Sequence, residues 1–205
     1  MNDTGVIKFR YEAAGEVATF PCFAELNAAR QELRKVGLIG VDKDAVGFGN
    51  VSMRDDGTNS FYITGSATGA LATLNSYNYA KVIAWDFDRN WLRYEGRALP
   101  SAESLTHAVV YELAAEVRVV VHGHDANLWR NLLERGSATG VDIPYGTPEM
   151  AREVERLFRE TDVRARKSFA MAGHRDGIVA FGQSFRETLN ALVMLRTDVS
   201  SPASA

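Results

Sequence analysis

Cysteine is nearly absent: the 205 residues hold one, Cys22. No disulfide can close within the chain, so the fold must rest on its hydrophobic core. A chain of this length can bury such a core without staples. Long apolar runs are missing as well. No stretch approaches the ~18 residues of a membrane-spanning helix. The opening M-N-D-T-G-V-I-K-F-R lacks the apolar centre of a signal peptide. An excess of one charge is also missing, since 23 Lys and Arg face 26 Asp and Glu for a net charge of −3. Nucleic acid and anionic membranes both call for a basic patch, so neither is expected as a partner. The expectation is a cytoplasmic protein acting on a small molecule. Two glycine-containing loops, G-F-G-N (47–50) and G-S-A-T-G (65–69), have N–H groups and small polar side chains that suit a phosphate. Neither matches a Walker loop or the dinucleotide fingerprint, and taken alone each reads as a turn.

The chain reads as one domain without repeats or a linker. Residues 6–12 alternate and read as a strand, and Phe23 to Val36 as a helix stopped by Gly37. A glycine-rich turn feeds a strand across 46–54, and 61–64 pairs with it as a hairpin. Strands follow at 82–88 and 91–95. Ala102 to Glu116 reads as a helix with Ser101 as its N-cap, and 117–122 as a strand. Glu149 to Glu160 is a charged amphipathic helix introduced by Pro148. Strands at 169–172 and 178–182 flank a loop, and Phe185 to Arg196 closes the chain as a helix. The tail S-S-P-A-S-A is expected to fray. Hairpins with helices between them point to α/β or α+β with a mixed or antiparallel sheet.

Two of only four histidines stand in V-R-V-V-V-H-G-H-D, residues 117–125. Residues i and i+2 of a strand share a face, so His122 and His124 converge and Gly123 leaves room behind them. Paired imidazoles suit a divalent cation such as Zn²⁺. His174, in the loop A-G-H-R-D-G, is the candidate third ligand. Three histidines with an open position make a catalytic rather than a structural zinc site. Glu103 and His107 share a helix face, and that helix leads into the H-x-H strand. A carboxylate there suits proton transfer beside a metal. His107 is either an orienting group behind the site or a satisfied core histidine. Asp125, one residue past His124, would point to the other face and stands behind the ligands. The tryptophans Trp85, Trp91 and Trp129 read as packing residues.

The order of motifs resembles the class II aldolase/adducin family. G-N-V-S-M-R, I-T-G-S-A-T-G, P-S-A-E-S-L-T-H-A-V-V-Y, V-V-V-H-G-H, Y-G-T-P-E-M-A and G-H-x-x-G-I-V-A-F-G follow in the family's order. The resemblance covers roughly residues 23 to 196. It implies a three-layer α/β/α sandwich with a central, mainly antiparallel sheet in residues 23–197. Residues 1–22 would form an N-terminal extension with a strand, and 198–205 a disordered tail. It implies a homotetramer with Zn²⁺ on His122, His124 and His174, with Mn²⁺ or Co²⁺ as substitutes. Glu103 matches the family's acid/base carboxylate. Gly49, Asn50, Ser66, Thr68, Gly69 and Ser101 match positions in loops that hold a substrate phosphate.

The activity implied is that of L-fuculose-1-phosphate aldolase-like members, carbon–carbon cleavage of a small ketose phosphate through a metal-stabilised enediolate. Methylthioribulose-phosphate dehydratase and pentulose-phosphate epimerase are rivals within the family, and a non-catalytic adducin-like module is a rival of another class. Three departures stand out. Ala102 replaces a second serine. The segment between His124 and Tyr145 is short, with Tyr145 the nearest counterpart of a catalytic tyrosine. Arg175 and Asp176 are inserted after His174.

Overall fold

The valine run before the two histidines is an inner strand buried on both faces. Val119 and Val121 pack into one hydrophobic layer and Val120 into the other, as the two-residue period of a strand requires. This strand, β8 (Val119–His124), belongs to an eight-stranded sheet in the computed structural model, which describes residues 6–199. Across the sheet run β1 (Arg10–Ala13), β7 (Trp91–Glu95), β6 (Tyr79–Asp86), β5 (Phe61–Thr64), β4 (Asn50–Arg54), β8, β10 (Gly177–Gly182) and β9 (Ser168–Ala170). Only β1 and β7 pair in parallel; every other pairing in the sheet is antiparallel. A short separate ladder joins β2 (Gly40–Val41) to β3 (Gly47–Phe48).

Helices cover both faces, as expected of a three-layer sandwich. On one side Leu26 and Leu33 of α1 (Phe23–Lys35) meet Leu128 and Leu132 of α3 (Ala126–Glu134) and Leu192 of α6 (Phe185–Val199) over Val119, Val121 and Ile178. On the other, α2 (Ser104–Leu113), α4 (Pro148–Glu160) and α5 (Val163–Arg166) pack over Phe61, Val82, Val120 and Phe181. Leu26, Leu33, Leu128 and Leu132 are fully buried. Each such side chain stabilises the fold by roughly 1.5–3 kcal/mol. Among the described residues no helix is long and apolar enough to cross a membrane.

Several boundaries differ from the sequence reading. The first strand runs over 10–13 rather than 6–12, because Phe9 is drawn into the core and registry with β7 begins only at Arg10. Helix α2 is shorter than 102–116 at both ends. Glu103, not Ser101, holds its N-cap position. The carbonyl of Ser101 instead accepts from Ser104 N (3.0 Å) and Ser104 Oγ (2.6 Å). At the other end, Ala114 is extended so that the chain can enter β8. Arg54 donates there to the carbonyls of Tyr111, Ala114 and Val117.

Strand β6 starts at Tyr79, earlier than 82, after a short 3-10 turn over Ser76–Asn78 capped by Asn75. Helix α3 was not anticipated. Helix α6 continues through Val199, so the tail expected to be disordered from 198 begins as helix, and its remainder lies outside the described residues.

Candidate active site

Strand β8 turns His122 and His124 toward the α2 layer, with ring centroids 5.1 Å apart. His174 arrives on the turn between β9 and β10. Its N–H donates to Met171 O and its carbonyl accepts from Gly177 N, each at 2.9 Å. The His174 ring lies 5.2 Å from that of His122 and 4.7 Å from that of His124. One nitrogen from each of the three lies within 4.8 Å of the others. Gly177 is demanded by this turn, because a Cβ there would overlap the His174 ring. The space behind Gly123 is not open, contrary to expectation. Leu38 fills it, and a Cβ on Gly123 would come 3.0 Å from the Leu38 carbonyl, which also accepts from His124 N at 3.1 Å. Glycine here permits close approach of two backbones.

Glu103 stands at the head of α2 and is 4% exposed. Its Oε1 is 3.9 Å from His122 Nε2 and 3.9 Å from His174 Nε2. Burial pushes the Glu103 carboxyl up to about 8, against the opposing pull of Thr106 and of the Lys8 charge. Burial likewise holds His122 well below the usual imidazole range, with repulsion from His124 and His174 adding to it. It lowers His124 to about 4 and His174 to about 3. The imidazoles are therefore neutral at pH 7, and their approach to Glu103 is not an ion pair.

This donor set fits a divalent cation. His122 Nδ1 lies 3.1 Å from Ile178 O. A carbonyl can only accept, so Nδ1 carries the proton and Nε2 presents its lone pair to the cluster.

The cleft over the histidines gathers the sequence candidates. Gly49, Asn50, Ser66, Thr68, Gly69 and Ser101 all line it beside Glu103 and the three histidines. Asn50 is registered with His122 across the β4–β8 ladder, and its buried Oδ1 has no partner among the described residues. Gly49 has φ +77°, and a Cβ there would meet the Leu38 carbonyl at 2.6 Å. Ser101 Oγ accepts from Glu103 N at 3.4 Å, which leaves its proton to donate. The Thr68 hydroxyl donates to Gly65 O at 2.8 Å and braces its own loop.

The two residues expected behind the ligands fare differently. His107 is fully buried, with Nδ1 2.7 Å from Ser52 Oγ, which in turn meets Tyr111 OH at 2.8 Å. It sits one helical turn deeper than Glu103 and does not line the cleft. Asp125 caps α3, its carboxylate accepting from Asn127 N and Leu128 N.

Residues 39–199 match the model of the class II aldolase and adducin N-terminal domain. The chain belongs to the class II aldolase and adducin family. Among solved structures it resembles L-fuculose 1-phosphate aldolase, with a TM-score of 0.67 at 19% identity over 89% of this chain and 85% of that one. It also resembles YgbL of Escherichia coli, at TM-score 0.61 and 19% identity over 86% of each chain. A sugar-phosphate aldolase from Thermotoga maritima matches at 0.60 and 15% identity, over 86% of this chain and 90% of that one. At such identities the likeness is one of fold.

Within this class II aldolase-type domain, Phe48 and Lys8 are neighbours of the site that the sequence reading did not single out, and Tyr145 is placed differently from a catalytic tyrosine. Phe48 stacks on the His124 ring at 4.9 Å and 28°; its place in G-F-G was the available signal. Tyr145 packs its ring 4.9 Å from that of His174, but its hydroxyl accepts from Val6 N at 3.0 Å and it does not line the cleft. Lys8 lies over the other partner of that contact, 4.0 Å from the Tyr145 ring centroid. No local pattern signals either pairing. Of the inserted residues, Arg175 points its side chain into solvent. Trp129 donates to Met171 O at 3.1 Å and packs in the α1 layer, away from the cleft lining.

Proposed function

We propose that this domain is a zinc-dependent aldolase-type lyase that cleaves or forms a carbon–carbon bond in a small ketose phosphate. The observation that carries the reading is the placement of Glu103 Oε1, 3.9 Å from two of three converging imidazoles, at the head of a cleft lined by hydroxyls and glycine N–H groups. His122, His124 and His174 would hold the cation, with Mn²⁺ or Co²⁺ as substitutes. The cation supplies Lewis-acid polarisation of the substrate carbonyl.

The chain's own groups do the rest. Neutral imidazoles present their lone pairs once the proton held between His124 Nε2 and His174 Nε2 is released. Ser101, Asn50 and the loop 65–69 orient the substrate, the phosphate taking the loop. In cleavage the hydroxyl of the departing carbon gives its proton to water and becomes the aldehyde as the carbon–carbon bond breaks; the electron pair left on the carbon beside the carbonyl takes a proton from Glu103 Oε1. In the direction of synthesis Glu103 removes that proton. A general base of this kind contributes roughly 10²–10⁴-fold. The buried carboxyl suits the task because the same group must hold and release a proton near neutral pH.

A dehydratase of the same family is the second reading. Its support is Ala102 in P-S-A-E and the engagement of Tyr145 OH by Val6, which leaves no tyrosine among the cleft-lining residues to take the hydroxyl proton as an aldehyde forms. An epimerase is less favoured, because that type uses aspartate where Glu103 stands. The intact histidines and Glu103 weigh against an adducin-like interaction module. The functional unit in this reading is residues 23–197, acting as a cytoplasmic homotetramer, with neither nucleic acid nor membrane as partner.

The test is a panel of ketose phosphates and unphosphorylated ketoses, incubated with zinc-loaded and metal-stripped protein. Aldehyde release that depends on metal supports the aldolase. Loss of water without cleavage selects the dehydratase. No metal bound after reconstitution overturns both.

A further inference from the structure

Among the described residues no lysine or arginine lines the cleft; its lining residues that titrate are Glu103 and the three histidines. Positive charge lies instead behind the loop. Arg30 of α1 is 1% exposed. Its guanidinium donates to the carbonyls of Thr68 (3.0 Å), Ala72 (3.1 Å) and Leu71. Arg34, one turn on, donates to Gly69 O at 2.9 Å.

A trans peptide group is planar, and its C=O and N–H point in opposite directions. With Thr68 O turned back onto Arg30, the N–H of Gly69 points away from that guanidinium. With Gly69 O on Arg34, the N–H of Ala70 does the same. Both nitrogens lie against Gly47, where a Cβ would meet Gly69 N at 3.4 Å and Ala70 N at 3.8 Å, and of the two residues Gly69 lines the cleft. Gly47 lines the cleft. Among the described residues neither N–H donates to a backbone carbonyl. Successive outward N–H groups of this kind form an anion-binding concavity.

A second observation points the same way. The hydrogen bonds of Arg30 all go to carbonyls, and among the described residues no carboxylate pairs with it. The charged side chain beside it is another cation, Arg34. A buried cation without a counter-charge is costly. An anion on the far side of the loop supplies that counter-charge.

We propose that Arg30, assisted by Arg34, is a positioning residue that turns the carbonyls of Thr68, Gly69, Leu71 and Ala72 out of the cleft and charges the loop from behind, so that the site selects a phosphorylated over an unphosphorylated ketose. This rests on the ketose-phosphate reading for the identity of the substrate. Arg30 acts through the loop and does not itself touch the ligand.

The test titrates inorganic phosphate into the full chain by calorimetry, zinc-saturated and zinc-free, so that phosphate on the metal is separated from phosphate on the loop. Arg30→Gln keeps an amide donor and removes the charge; Arg30→Lys keeps the charge. Arg30→Gln is expected to weaken phosphate binding by about tenfold or more in both metal states, with most of the loss recovered in Arg30→Lys. Arg34→Gln should lose about threefold.

A brace without electrostatic effect would lower the melting temperature of Arg30→Gln and leave phosphate affinity unmoved, which overturns the inference alone. Phosphate binding seen only with zinc also overturns it. If Arg30→Gln does not fold, Arg34→Gln decides, and wild-type affinity there overturns the inference. Wild-type protein that binds no phosphate in either state overturns it together with the phosphorylated-substrate reading.

Discussion

His124 Nε2 and His174 Nε2 lie 3.0 Å apart. Two nitrogens bound to one tetrahedral zinc at its usual bond lengths stand about 3.3 Å apart. Loading the site therefore needs a few tenths of an ångström at this pair rather than a rebuilt loop. Metal is expected to stabilise the fold as it stands. Zinc at about a hundred times its dissociation constant adds about 2.7 kcal/mol, which raises the melting temperature by roughly 5–10 °C for a chain of this size. The shift should vanish in His122→Ala. An equal shift in that variant would place the metal elsewhere.

Glu103→Gln preserves the size of the side chain and removes its proton chemistry. Turnover on a true substrate should fall by about 10²–10⁴-fold while metal content stays at the wild-type level. The variant also removes a buried carboxyl, so the metal-free protein should melt no lower than wild type above pH 7. Full turnover in Glu103→Gln would remove the acid/base assignment.

Gly177→Ala sets a methyl group against the His174 ring and carbonyl. Overpacking of this kind costs about 1–3 kcal/mol, and here the ring that must yield is one of the three clustered imidazoles. The variant should fold with a lowered melting temperature and bind zinc about 10–100-fold more weakly. Unchanged zinc affinity would show that the turn between β9 and β10 is softer than its geometry implies.

Burial lowers His107 to about 3, whereas an unfolded histidine titrates near 6.5. Between those values the unfolded chain binds the extra proton. Stability therefore falls as pH drops from about 6.5 toward 3, by up to about 1.4 kcal/mol per pH unit from this group. His107→Gln should flatten the acid limb of stability against pH by that slope in metal-free protein. An identical slope in the two proteins would mean that His107 is protonated inside the fold.

Cys22 supplies a check on the α1 end of the molecule. Burial pushes its thiol up to about 11, so its thiolate fraction at pH 8 is about 10⁻³. Alkylation at pH 8 should run about 100-fold or more slower than that of a free cysteine. A rate like that of the free amino acid would mean that α1 opens readily at its start.

The three-histidine cluster was legible because chemistry and period coincide. His122 and His124 share a strand face by spacing alone, and Glu103 precedes them on the element that feeds the strand. The loops 47–50 and 65–69 were legible as small-residue loops, and their meeting in one cleft follows the family order of motifs. Other features depend on pairings distant in sequence. Nothing local in 6–13 announces a parallel partner at β7, and nothing in Tyr145 announces a bond to Val6. Arg30 reads as an ordinary polar helix residue until the loop folds over it. Asp125, Leu128 and Leu132 carry the cap and the buried stripe of α3, but in so short a helix the stripe rests on two leucines alone. Gly123 was read as making room, and only the fold shows that Leu38 takes it.

The most direct test of the three-histidine centre is zinc content per chain after reconstitution and dialysis, measured on wild type and on His174→Ala. The account predicts one zinc per wild-type chain and essentially none in the variant, with both proteins folded. Wild-type protein that retains no zinc, or a variant that retains as much as wild type, would contradict it.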